Sequence, residues 1–200
     1  MLDFRIDTNI RLRSVCSDDA AELFALVDAN RSYLRRWLSW VDETISEKDI
    51  RTFIQNSQDQ VTNGRGPVCC VTHTGELVGI CGFKPVDKRN RSVELGYWLA
   101  ESFTGQGIMT QCVRVLIDYA FREMDINRIE LRVATANKQS RSVAERLGFT
   151  HEGNLREAEW LNDRYLDQVV YSMLKRDWNS EQGAEGDAVK RASELGSLRK

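Results

Sequence analysis

The chain has 200 residues, 42% of them hydrophobic, and carries 28 Lys and Arg against 30 Asp and Glu, a net charge of −2. That length suits one domain with a filled core, and the charge gives no electrostatic case for sequence-independent nucleic-acid binding. No apolar run nears the roughly 18 residues that read as a membrane span, and the start Met1-Leu2-Asp3-Phe4-Arg5 is not a signal peptide.

Cys16, Cys69, Cys70, Cys81 and Cys112 lack Cys-x-x-Cys spacing and read as reduced thiols of a cytoplasmic protein. With only His73 and His151 to draw on, no metal site is expected.

In chain order, the alternation from Ile10 to Val15 predicts a first strand. Ser17, Asp18 and Asp19 start a helix whose apolar face is Ala20, Leu23, Phe24 and Val27. Ser32 to Trp40 reads as a short helical piece with Trp37 and Trp40 on one face. Ser46-x-x-Asp49 has the form of a capping box and opens a helix carrying Ile50, Phe53, Ile54 and Val61, stopped by Gly64-Arg65-Gly66-Pro67. Three β segments follow: Val68 to Thr72, Leu77 to Phe83 and Ser92 to Leu99.

The turn Gly105-Gln106-Gly107 then leads into a helix on which Ile108, Met109, Cys112, Val113, Leu116, Tyr119 and Ala120 recur at helical spacing. Beyond it come a strand, Arg128 to Ala134, and a short helix, Ser140 to Leu147, ended by Gly148. Two last strands, Phe149 to Leu155 and Tyr165 to Leu174, are bridged by a loop from Arg156 to Arg164. From Ser180 the chain has no aromatic residue, which sets a domain at 1–178 and a disordered or weakly helical tail at 179–200.

A strand–helix–strand unit of this length is a crossover, so Ser92–Leu99 and Arg128–Ala134 should run parallel. The fold class expected is α/β (α+β): a mixed sheet, antiparallel in its N-terminal half, with the parallel junction at the central strand–turn–helix. Strands bordering such a junction can splay and expose unpaired backbone groups above the glycine turn. The helix that follows leaves its first N–H groups unpaired, and glycines let an anion approach them. A Walker A loop would need Gly-Lys-Ser/Thr, but Ile108 follows Gly107. A dinucleotide fingerprint would need a glycine where Thr110 stands. On these residues alone, a phosphate cradle and a plain strand–helix turn both stand.

Two stretches carry a family resemblance. Gly96-Tyr97-Trp98-Leu99 followed by Gly105-Gln106-Gly107-Ile108-Met109-Thr110 resembles the acetyl-CoA motif of the GNAT acetyltransferases. The segment from Asn137 through Ser140 to Gly148-Phe149 resembles the same family's Asn-x-x-Ser…Gly-Phe motif. Leu34-Arg35-Arg36-Trp37-Leu38-Ser39-Trp40 and Ala158-Glu159-Trp160-Leu161-Asn162 resemble its RimJ/RimL branch, which acetylates N-terminal amines of ribosomal proteins. One position departs from the motif: Ser102 stands where the family has a long Gln or Arg.

The resemblance implies acetyl-CoA as co-substrate. Gly105, Gln106, Gly107, Ile108, Met109 and Thr110 would hold the pyrophosphate through their N–H groups. Trp98 and Leu99 would offer backbone groups to the pantetheine arm, and Asn137 either bonds that arm or caps a helix. Glu159 is the candidate that binds and deprotonates the amine, or else a loop glutamate. Ser140 is the candidate donor to the sulfur, or else a helix cap. Trp37 and Trp40 either meet the acceptor or pack in the core, and Arg35 and Arg36 either meet an acidic peptide or are solvated. The acceptor is a protein N-terminus or a small amine, with a non-catalytic CoA-binding module as a third reading. A homodimer is left open, and no nucleic acid or membrane is expected as a partner.

Overall fold

A computed structural model describes residues 2–178 of the chain. Its first strand is one that periodicity does not reveal. β1 (Asp3–Arg5) is three residues long and pairs antiparallel with β2 (Ile10–Ser14). Phe4 anchors it by an edge-on contact with Tyr119, ring centroids 6.0 Å apart. Next, Asp19 accepts the Cys16 N–H at 2.8 Å and ends a 3-10 turn that leads into α1 (Ala20–Ala29).

The helix expected over 32–40 does not form as one piece. α2 (Arg31–Leu34) is a single turn, the backbone is extended at Leu38 (φ −131°), and a separate 3-10 turn covers Ser39–Val41. Tertiary bonds compete with helical ones here. Arg31 donates to the carbonyls of Val41 (2.5 Å) and Thr44 (2.9 Å), and Arg35 pairs with Asp42 at 2.8 Å. Trp37 and Trp40 therefore do not share a helix face. The expected capping box is present: the Ser46 N–H and hydroxyl reach Asp49 Oδ2 at 2.9 and 2.8 Å and open α3 (Glu47–Thr62).

The rest of the sheet comprises β3 (Val68–His73), β4 (Glu76–Phe83), β5 (Ser92–Leu99), β6 (Arg128–Ala134), β7 (Thr150–Leu161) and β8 (Arg164–Leu174). Two helices join it, α4 (Ile108–Glu123) between β5 and β6 and α5 (Lys138–Arg146) after β6. The eight strands of the described residues run in the order β1-β2-β3-β4-β5-β6-β8-β7. β5 and β6 are parallel and every other neighbouring pair is antiparallel. The expected mixed architecture is the one that forms.

α1 and α3 cover one face, packing Leu23, Val27, Ile50 and Ile54 on Cys70, Leu77 and Ile80. α4 and α5 cover the other, where Val113, Leu116, Ile117 and Val143 meet the strands. Cys69, Cys70, Cys81 and Cys112 are buried free thiols, and burial pushes Cys69 and Cys112 up to about 12. Trp178 is buried and donates to Asp118 at 2.8 Å. The tail expected at 179–200 lies outside the described residues.

A second correction concerns the loop expected from Arg156 to Arg164. β7 runs on to Leu161, and two residues, Asn162 (φ 51°) and Asp163 (φ 59°), turn the chain into β8. Two successive positive φ values fit a type I′ hairpin turn, which Asn and Asp tolerate. The pattern is disguised because β7 shifts register at His151/Gly153 and Leu155/Glu159 and exposes most of its side chains. Bulges break the period of two by which a strand is recognised. Glu159 thus stands on a strand.

Candidate active site

β5 and β6 pair over three residues only, Ser92 with Arg128, Val93 with Ile129 and Glu94 with Glu130. Above that point β5 stays on β4 as far as Leu99, β6 stays on β8 as far as Ala134, and a gap opens between them. Two bonds decide which backbone groups face it. The Glu94 carbonyl accepts from the Lys84 N–H, and the Ala100 N–H donates to the Val78 carbonyl, both at 2.8 Å. Alternation therefore turns the backbone groups of Gly96 and Trp98 toward β4 and those of Tyr97 and Leu99 toward the gap. Of the two backbone positions expected to serve a ligand there, Leu99 faces it. Trp98 instead packs its ring against Trp40, centroids 6.0 Å apart. Gly79 lets β4 lie this close, since a Cβ on it would come within 2.2 Å of the Trp98 carbonyl.

Two cavities occupy the gap. The smaller, about 180 Å³, is lined by Leu99, Gly105, Gly107, Thr110 and Arg146 among others. The larger, about 480 Å³, is lined by Trp37, Trp40, Phe53, Glu94, Arg132 and Glu159 among others. Tyr97, Trp98, Asn137 and Ser140 border both.

The small cavity ends on the glycine turn. Gly105 (φ 76°) and Gly107 (φ 78°) are left-handed, and a Cβ on either would meet nothing within 4 Å. Conformation, not crowding, requires glycine here, and the space above the turn is open. Gly107 is the N-cap of α4 and no side chain caps that end. The Gln111 N–H bonds back to the Gly107 carbonyl at 3.2 Å, so the N–H groups of Ile108, Met109 and Thr110 precede the helical ladder. Gln106 turns its side chain away to donate to the Ser102 carbonyl at 2.9 Å, bracing the turn. Thr110 Oγ1 is buried with no hydrogen-bond partner among the described residues. A buried hydroxyl without a partner is costly unless a water or a ligand atom satisfies it.

Where the cavities meet, Asn137 caps α5 by accepting the Ser140 N–H at 3.2 Å. Ser140 Oγ donates to the Tyr97 hydroxyl at 3.1 Å, and the Tyr97 hydroxyl donates to the Ser140 carbonyl at 2.9 Å. Burial pushes the Tyr97 phenol well above its ordinary value, so it stays neutral. Reading motifs along the chain passes over Tyr97. The available signal is its β5 alternation with buried Leu95 and Leu99, since a phenol on an apolar face needs a partner.

In the large cavity, Glu159 Oε2 accepts from Gln168 Nε2 at 2.9 Å. The register shift before Glu159 includes Glu157 at φ 50°, whose N–H is held by Asp167 Oδ1 at 2.8 Å. That irregularity re-aims β7, and Glu159 and Gln168 both line the cavity. Arg35 is engaged by Asp42, and Arg36 lies 3.9 Å from Glu101.

Residues 9–150 match the family model described as the acetyltransferase (GNAT) domain. The chain belongs to the GNAT acetyltransferases. It is 35% identical to a putative ribosomal N-acetyltransferase, YdaF, of Bacillus subtilis over 90% of this chain and 100% of that one. It is 31% identical to the ribosomal-protein-serine acetyltransferase of Escherichia coli over 85% of this chain and 95% of that one. Among solved structures, RimL, a ribosomal alpha-N-protein acetyltransferase in complex with coenzyme A, superposes with a TM-score of 0.84 at 30% identity, covering 88% of this chain and 99% of that one. This GNAT chain is accordingly an acetyl-CoA-dependent N-acetyltransferase.

The small cavity fits that co-substrate. Uncapped helix N–H groups suit a pyrophosphate, the gap-facing backbone of Leu99 suits an amide-bearing arm, and Thr110 Oγ1 lacks a partner among the described residues. Across the gap, the Tyr33 hydroxyl donates to Gln139 Oε1 at 3.0 Å and Asn162 Nδ2 donates to the Arg35 carbonyl at 2.8 Å. The segment from Tyr33 to Trp40 is thereby tied to α5 and to the β7–β8 hairpin. Among the described residues no helix is long and apolar enough to cross a membrane.

Proposed function

We propose that this acetyltransferase modifies the N-terminal α-amine of a protein, of ribosomal type, with both substrates bound together. The relatives' names support that acceptor, and one observation in the large cavity carries it. Three carboxylates line that cavity, and two are engaged: Asp49 in its capping box and Glu94 by Lys84 at 2.5 Å. Glu159 alone of the three is held neither by a cation nor in a helix cap; its partner is the side-chain amide of Gln168. One carboxylate suits one ammonium group, whereas a polyamine would call for several.

Acetyl-CoA supplies the acetyl group as a thioester. The N–H groups from Gln106 to Thr110 hold the phosphates, and the backbone of Leu99 and Tyr97 aligns the arm. Trp37 and Trp40 flank the acceptor. Glu159 binds the acceptor's ammonium and takes its proton, leaving a neutral nitrogen to attack the acetyl carbon. As the C–N bond forms and the C–S bond breaks, Ser140 Oγ–H donates to the departing sulfur. The nitrogen loses two protons in all. Glu159 takes the first and passes it to solvent, and the second, shed as the amide forms, replaces the one Ser140 gives to sulfur. The products are an amide, the CoA thiol and one released proton.

An α-amine with a pKa near 8 is roughly one-fifth neutral at pH 7.4, against about one-thousandth for a lysine near 10.4. A single carboxylate in contact with solvent is adequate for the first of these. Thiol release should therefore be faster with peptides bearing a free, small N-terminal residue than with the same peptides blocked and carrying an internal lysine, and faster than with spermidine. Equal rates on all three would remove the α-amine reading.

A further inference from the structure

Tyr97 and Ser140 lie on opposite walls of the gap, on β5 and α5, and join above the point where backbone pairing between β5 and β6 has stopped. Each hydroxyl has one proton. The Tyr97 proton is committed to the Ser140 carbonyl at 2.9 Å, so the phenol oxygen can only accept from Ser140 Oγ, 3.1 Å away. The Ser140 N–H is in turn held by Asn137. Every polar group of Ser140 is thus fixed in direction, and the longer hydroxyl bond is the one that can be redirected without disturbing the others. A serine in the first turn of a helix otherwise tends to bond to its own backbone.

We infer that Tyr97 is the positioning residue for Ser140, holding its hydroxyl at the boundary of the two cavities with the proton directed into the gap. This rests on the reading of Ser140 as the donor to the leaving sulfur. When that sulfur develops charge, the Ser140 proton turns from the phenol oxygen to it, while the Tyr97 bond to the Ser140 carbonyl keeps the helix turn in place. No proton passes to or from Tyr97, in keeping with a phenol that burial keeps neutral.

The test is a double-mutant cycle of Tyr97→Phe and Ser140→Ala in single turnovers, where product release cannot mask chemistry. Unfolding temperature and CoA affinity by calorimetry accompany it. Each single variant should lower the chemical rate about tenfold or more, the scale of one oriented hydrogen bond, with CoA affinity within about twofold of wild type. The double variant should be no slower than Ser140→Ala by more than about twofold, because a residue acting through Ser140 has nothing left to orient.

Multiplicative losses, or an unchanged rate in Tyr97→Phe, would overturn the inference, as would a Tyr97→Phe loss confined to CoA affinity. An unchanged rate in Ser140→Ala would instead remove the underlying reading of Ser140. If Tyr97→Phe does not fold, p-aminophenylalanine at position 97 keeps a donor for the Ser140 carbonyl and lacks a strong acceptor. It should show the same rate loss, and a normal rate there would also overturn the inference.

Discussion

Gly107→Val separates what the glycine turn does for the fold from what it does for the ligand. Gly107 sits at φ 78°, and its added Cβ would meet nothing within 4 Å. The cost to the free protein is therefore conformational, about 1–2 kcal/mol for an L-residue held left-handed. In a chain of this size that corresponds to a fall in Tm of roughly 2–8 °C. The branched side chain would project into the open space through which a phosphate reaches the first N–H groups of α4. A hydrogen bond to a charged group contributes about 1.5–3 kcal/mol, so losing one good N–H contact should weaken CoA binding roughly 10- to 100-fold.

Gly64→Val is the control for that measurement. Gly64 is also left-handed (φ 65°), its Cβ would meet only Lys88 Nζ at 3.6 Å, and it borders neither cavity. It should lose comparable stability and keep its CoA affinity. Calorimetric titration with CoA beside thermal unfolding reads both quantities. Wild-type affinity in Gly107→Val, or an equal loss in Gly64→Val, would refute a backbone-built phosphate site.

Three further outcomes follow from particular atoms. Thr110→Val removes a buried hydroxyl with no partner, so the free protein should be as stable or more so while CoA affinity falls; lower stability with intact affinity would contradict this. Glu159→Gln should lower kcat/KM about one hundredfold with CoA affinity intact, and the deficit should shrink as pH passes the amine's own value near 8; a near-normal rate across that range would make Glu159 a surface carboxylate. Asp19 is held at about 2, since its burial is outweighed by bonds from Arg13 (2.5 and 2.8 Å) and the Cys16 N–H. The stability it contributes is complete above its unfolded value near 4 and is lost as pH falls through about 2. Asp19→Asn should thus cost about 3 kcal/mol at neutral pH in urea titrations, with the gap narrowing toward pH 2; a pH-independent gap would refute it.

What was legible in the sequence follows physical range. β5 and β6 have the bounds their apolar patterns predict, and the Ser46–Asp49 box opens α3, because these signals are local. The parallel junction was legible too, since a helix of that length permits one kind of crossover. Long-range competition hid the rest. Bonds from Arg31 to residues ten and more positions away break the helix expected to carry Trp37 and Trp40. Two register shifts in β7 make its second half, from Arg156, read as a loop, although Asn162-Asp163 is a hairpin signal.

The same distinction explains why Glu159 and Ser140 could be named while their surroundings could not. Residue type and motif position suggest a carboxylate and a hydroxyl. Their working geometry comes instead from an irregularity in β7 and from a phenol 43 residues before Ser140 in the chain. Tyr97 is half-buried against the core and has the bonding of a site residue, and only the meeting of β5 with α5 shows the second. A strand that has lost its parallel neighbour leaves its gap-facing backbone groups open to a ligand, and it leaves space in which side chains from the two walls can meet. On this reasoning the splay that admits the co-substrate also makes room for the Tyr97 and Ser140 hydroxyls to meet. Closing the gap by extending β5–β6 pairing would remove the binding site and the aligned hydroxyl together.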